Sequence, residues 1–111
     1  MGADGMDRLL SVRRPPTAVF AFSDEVAVGA LRTLRRAGIP IPSAVSVIGI
    51  DDHPLAELCD LTTVYQPVEE QGVRAARIAL SLLGGTPVDA EQVTVPTHLV
   101  IRNTTAPTTA G

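Results

Sequence analysis

Two almost wholly apolar runs, TAVFAF (Thr17–Phe22) and AVSVIGI (Ala44–Ile50), flank a segment of a different period. That arrangement restricts the fold more than any other feature of the chain. A strand with one face in water alternates apolar and polar residues, whereas a run that is apolar throughout is buried on both faces, as in a parallel sheet covered by helices. The intervening EVAVGALRTLRRAG places Val26, Ala30 and Leu34 at helical spacing, with Ala27 and Leu31 beside them and Arg32, Arg35 and Arg36 opposite. Ser23 and Asp24 are good residues to begin that helix. Gly38 is a good residue to end it, and Pro40 and Pro42 prevent its continuation.

The remaining segments extend the same alternation. Met6–Val12 reads as a short helix with Leu9 and Leu10 on its apolar side, stopped by Pro15 and Pro16. After the second strand come a helical turn over Pro54–Leu58 and a third strand, LTTVYQ (Leu61–Gln66). Pro67 opens a long helix to Leu83, with Glu69 and Glu70 in its first turn. Val68, Ala75, Ile78, Ala79, Leu82 and Leu83 form its apolar face, and Gly84 and Gly85 end it. QVTVP (Gln92–Pro96) and HLVIR (His98–Arg102) are the last strand candidates, and residues 104–111 are expected to be a disordered tail. The order β-α-β-(α)-β-α-β defines an α/β chain: a parallel, doubly wound sheet with flanking helices and right-handed crossovers.

Composition narrows the function. With 45% apolar and 19% charged residues, the 111-residue chain is one folded domain. A net charge of −3, no lysine and 3% aromatics leave neither a phosphate-binding surface nor a stacking platform for nucleic acid. Cys59 is the single cysteine, so an internal disulfide and a cysteine-based zinc site are excluded. His53 and His98 are too few for a metal cluster; no metal and no cofactor are expected. The first residues lack an apolar signal core, and no run approaches the roughly 18 apolar residues of a membrane span. The expectation is a cytoplasmic protein with no membrane partner.

In parallel sheets, ligands sit beyond the carboxyl ends of the strands. Three such ends carry polar groups here: Ser23 with Asp24, Asp51 with Asp52, and Gln66. Asp51 is the sharpest candidate, because a rigidly held carboxylate can accept hydrogen bonds from two neighbouring hydroxyls of a polyol. Asp52, two residues before Pro54, is placed to fix the turn that follows. One of Ser23 and Asp24 caps the helix while the other can face a cleft; Gln66 either binds ligand or caps the helix from Pro67. Catalysis finds little support. A Ser23–His53–Asp51 triad lacks the G-x-S-x-G turn, and a histidine two positions from its aspartate is poorly placed to reach a serine. No glycine-rich phosphate loop is present. A phosphoacceptor receiver domain also sets paired acids at strand ends, but it needs a lysine. The chain is not expected to be an enzyme.

Taken together, these residues resemble a known family. From Pro16 to Gly85, the joint pattern SD..A.GAL..L...GI.IP..VSVIGIDD followed by LTTV.QP...G closely resembles the effector-binding domain of LacI/GalR transcriptional regulators. The final HLVIRNTTAP resembles that family's C-terminal strand. The resemblance implies a partial periplasmic-binding-protein-like lobe over residues 1–103. It implies a small-molecule effector, a sugar by preference, bound by Asp51 with Ser23, Asp24 and Gln66 as further candidates. The family commonly has asparagine where Ser23 stands. The resemblance also implies a homodimer in the full-length regulator, with Val28, Leu31, Leu55 and Leu58 at its interface. DNA would be bound only through a helix-turn-helix domain not contained in this chain. In the family the helix after TTVYQP belongs to the other lobe, so the apolar face of Pro67–Leu83 is expected to be largely uncovered. A sugar-binding protein of a transport system shares the sensor architecture and is the alternative.

Overall fold

The computed structural model describes residues 1–86 and 93–108. Its centre is a four-stranded sheet in the order β1 (Ala18–Phe20), β2 (Ser46–Asp51), β3 (Thr62–Tyr65), β4 (His98–Val100). The first three strands run parallel, with Phe20 opposite Ile48 and Asp51 opposite Tyr65. β1 and β3 are shorter than the runs that suggested them, and β2 begins two residues later and ends one residue beyond its run, at Asp51.

Four helices complete the described structure: α1 (Gly2–Leu10), α2 (Asp24–Arg36), α3 (Pro54–Leu58) and α4 (Val68–Leu83). α2 supplies the core, as its period requires. Ala27, Ala30, Leu31 and Leu34 are buried against Ala21, Val45, Val47, Ala56 and Leu61, with Met6 of α1 closing the cluster. Gly38 ends α2 with φ +70°, a conformation that costs glycine nothing. α1 starts four residues before the position its apolar pattern suggested, because two glycines let it lie on α2. A Cβ on Gly2 would strike the Val26 carbonyl, and one on Gly29 would stand 2.9 Å from the Ala3 nitrogen.

Three expectations need correction. The sheet is not wholly parallel: β4 joins β3 antiparallel, with His98 opposite Tyr65. α4 departs beyond Tyr65 and the chain returns beside that same residue, so the last strand has to run the other way. Val93–Pro96 form no strand, and Gln92 lies outside the described residues. Thr104–Ala106 are not a disordered tail. Thr104 is 3% exposed; its hydroxyl donates to the Val47 carbonyl at 2.7 Å and accepts the Thr62 amide at 2.9 Å. The Thr105 hydroxyl pairs with that of Thr62 at 2.9 Å, and the Ala106 amide donates to Ser46 Oγ at 3.2 Å.

α4 has no buried residue, which agrees with the uncovered face expected of it. It gives the molecule extents of 57 × 27 × 25 Å and a radius of gyration of 18.1 Å, against about 13 Å for a compact domain of this length.

Candidate functional site

At the carboxyl end of β2 the backbone leaves the strand abruptly. Asp51 has φ 127° and Asp52 φ 54°, both in the left-handed half of conformational space, which aspartate tolerates better than most residues. Such a turn holds only when its surroundings fix it. Asp24 and Arg102 do so from opposite sides.

Asp24 occupies the first turn of α2 and is fully buried. One carboxylate oxygen accepts the Thr63 hydroxyl at 2.6 Å and the other the His53 amide at 2.8 Å. The absence of a side chain at Gly49 makes this possible, since a Cβ there would collide with Asp24 Oδ1. On the other side, Arg102 donates to Asp52 Oδ1 and to the Leu61 carbonyl, both at 2.9 Å, with its side chain only 18% exposed. His53 Nδ1 accepts the Leu55 amide at 3.0 Å and so caps α3. Its Nε2 faces Glu25 at 3.7 Å.

Asp51 projects from this clamped turn and accepts a hydrogen bond from the Gln66 side-chain amide. The two residues line a cleft of about 590 Å³ together with Tyr65, His53 and the start of α4. Tyr65 is itself fixed by stacking on His98, with ring centroids 4.7 Å apart. The cleft therefore offers carboxylate and amide oxygens, a phenol and an aromatic edge. These groups suit a ligand that carries several hydroxyls.

Of the sequence candidates, Asp51 and Gln66 come together as partners. Ser23 is half-buried at the neighbouring strand end, makes no side-chain cap bond and does not line the cleft. Asp24 is corrected: with both oxygens committed inside the protein, it holds the site and cannot face ligand. Asp52 fixes the turn, through Arg102. Tyr65, His53, Glu69 and Glu70 line the cleft but were not among the candidates. Tyr65 could have been found from its place beside Gln66 at the strand end. Among the dimer candidates, Leu31 is also corrected: it is 0% exposed and belongs to the core. Val28 and Leu55 are half-buried, and Leu58 is 81% exposed. Among the described residues, no three potential metal ligands cluster, and no helix is long and apolar enough to cross a membrane.

A mostly parallel sheet with polar groups at the carboxyl ends of its strands and flanking helices is the α/β architecture of periplasmic-binding-protein-like domains. The family model for the periplasmic binding protein-like domain matches residues 2–105, and the chain belongs to that family. Within it, this is the C-terminal portion of a LacI-type sensor. It is 39% identical over 106 residues to the HTH-type transcriptional repressor CytR of Escherichia coli, covering 94% of this chain and 31% of that protein. A LacI transcriptional regulator from a Rhodococcus species superposes with a TM-score of 0.82 at 40% identity, over 96% of this chain and 40% of that one. A LacI family regulator from Enterococcus faecium, crystallised with bound ribose, superposes with a TM-score of 0.81 at 34% identity, over 96% and 40%. One from Lactobacillus casei, with bound sucrose, does so at 0.74 and 36%, over 93% and 39%. The chain thus spans about a third of the length of the curated relatives it matches. These relatives are transcription regulators, which disfavours the transport alternative.

Proposed function

We propose that this chain forms one wall of the effector cleft in a transcriptional regulator, and that the effector is a small polyol of the sugar class. The Asp51–Gln66 pair at the mouth of the sheet carries this reading. It is supported by the sugars bound to two regulators of the same fold. Asp51 accepts ligand hydroxyls on its remaining lone pairs, Gln66 contributes its carbonyl oxygen, and Tyr65 offers a hydroxyl and a ring face. The Ser23 hydroxyl, at the next strand end but outside this cleft, would reach ligand only where the ligand extends along the sheet edge toward β1. Ligand held between this wall and a second lobe draws the two together about the connections near Gln66–Val68 and Pro96–Leu99. That movement biases a dimer toward or away from the geometry that binds DNA.

Val28, Leu55 and Leu58 form the dimer face of this proposal. DNA contact belongs to a helix-turn-helix domain outside the chain, and the complete regulator acts in the cytoplasm without catalysing a reaction. The test is Asp51→Ala in a complete regulator that contains this sequence, titrated with ribose and sucrose by calorimetry. Loss of a hydrogen bond to a charged group costs about 1.5–3 kcal/mol, or roughly 10- to 150-fold in affinity. Unchanged affinity for a sugar that the parent binds would remove Asp51 from the site.

A further inference from the structure

The cleft beside Asp51 carries an unbalanced charge. Four carboxylates line it: Asp51, Asp52, Glu69 and Glu70. Two are neutralised, Asp52 by Arg102 at 2.9 Å and Glu70 by Arg74 at 3.1 Å, and neither arginine is itself a lining residue. Asp51 receives only the uncharged amide of Gln66, and Glu69 has no ion-pair partner among the described residues. The remaining titratable neighbours are His53, whose Nε2 is turned to Glu25, and His98, which lies against the Tyr65 ring.

One feature opposes this charge. α4 begins at the cleft, and a helix N-terminus amounts to about half a positive charge. Among the described residues Asp51 and Glu69 remain without an ion-pair partner, and the helix end offsets only part of one of them. A net of roughly one and a half negative charges therefore remains in excess. The hydrogen-bonding groups point the same way. One N–H of the Gln66 amide goes to Asp51, leaving its second N–H and the Tyr65 hydroxyl as side-chain donors against the Gln66 side-chain carbonyl, the free lone pairs of Asp51 and Glu69 as acceptors. Acceptors outnumber donors, so a ligand rich in hydroxyls is favoured.

We infer that this cleft selects its ligand by charge. It takes an uncharged polyhydroxyl compound and excludes phosphorylated or carboxylated ones, with Asp51 and Glu69 as the residues that set the discrimination. The inference rests on the sensor reading above and narrows it.

Tyr65 is the only tyrosine, the chain has no tryptophan, and Tyr65 lines the cleft, so its fluorescence reports the local field without any ligand. The experiment compares quenching by iodide, acrylamide and caesium at pH 8 and 0.1 M total ionic strength, each relative to N-acetyltyrosinamide. Circular dichroism verifies that each sample is folded. A net of about one and a half negative charges within a Debye length should depress iodide quenching relative to acrylamide by roughly twofold and raise that by caesium. Asp51→Asn with Glu69→Gln should abolish most of the difference, whereas Asp4→Asn with Asp7→Asn, an equal change in net charge on α1, should leave it. Equal normalised quenching by iodide and acrylamide in the wild-type chain would overturn the inference, as would an equal response from the two double variants. A parallel titration of the complete regulator compares ribose with ribose 5-phosphate. Tighter binding of the phosphate also overturns it. Iodide exclusion with no response to ribose, sucrose or any other uncharged sugar would instead count against the sensor reading.

Discussion

Asp24 lies within one hydrogen bond of the turn that presents Asp51, yet no part of it reaches the cleft. Its two oxygens tie the His53 amide and the Thr63 hydroxyl to the start of α2, joining three elements at one carboxylate. Removing it leaves the buried Thr63 hydroxyl and the half-buried His53 amide unpaired, and an unmet buried group costs about 1–3 kcal/mol. Asp24→Ala should therefore lower the urea midpoint more than Asp24→Asn, whose side-chain oxygen can still accept one of the two bonds. Both variants should weaken sugar binding in a complete regulator, because the Asp51 turn loses an anchor. If Asp24→Ala melts with the wild-type protein, the carboxylate is not the clamp described. The sequence showed that Asp24 and Asp51 end their strands at one edge, since parallel strands share polarity. It could not show which acid faces solvent: that depends on the space left at Gly49, where a Cβ would displace the Asp24 carboxylate.

At the scale of elements, the segment after β4 does the work of a further piece of sheet without being a strand. The Val47 amide donates to the Thr104 carbonyl at 2.8 Å, and the Thr104 hydroxyl bridges Val47 and Thr62. This closes the amino ends of β2 and β3, while Arg102 two residues earlier grips the turn at the carboxyl end of β2. The composition of NTTAPTTAG, polar and lacking large apolar residues, suggested disorder because it carries no period. Hydroxyl-to-backbone bonding has no periodic signature, so its order appears only in three dimensions. α2, by contrast, was legible: Ala27, Ala30, Leu31 and Leu34 are buried as the helical period requires, and that period, not the dimer role implied by the family resemblance, decides Leu31. Thr104→Val, nearly identical in shape, should cost about 1–3 kcal/mol by stranding the Thr62 amide and the Val47 carbonyl. Hydrogen exchange should locate the loss: faster exchange at the Thr62 amide, which loses its acceptor, with Leu31 and Leu34 shifted only by the global change. Wild-type protection at the Thr62 amide would show the hydroxyl to be dispensable.

Across the whole molecule, several large apolar side chains are left in water, and two groups of them concern association. Phe20 and Phe22 are 59% and 74% exposed beside β1, which is a sheet edge, and Leu80, Leu82 and Leu83 are 69%, 64% and 86% exposed on α4. Full burial of one such side chain is worth about 1.5–3 kcal/mol, and the whole stability of a typical domain is about 5–15 kcal/mol. Side chains that could contribute a large share of that total thus make no contribution in the monomer. An uncovered edge strand is also a template for pairing with another chain, and apolar patches of this kind ordinarily mark contact surfaces. The 111-residue chain on its own should therefore associate as its concentration rises, and its unfolding midpoint should rise with concentration too. Sedimentation velocity across a hundredfold dilution tests the first point, and thermal melts over the same series test the second. Two paired substitutions assign the contact: Phe20→Lys with Phe22→Lys should suppress association through the edge, and Leu82→Glu with Leu83→Glu association through α4. A single monomeric species at every concentration, melting sharply above about 60 °C, would place the chain beyond most mesophile domains and show that the sheet and α2 alone close a sufficient core.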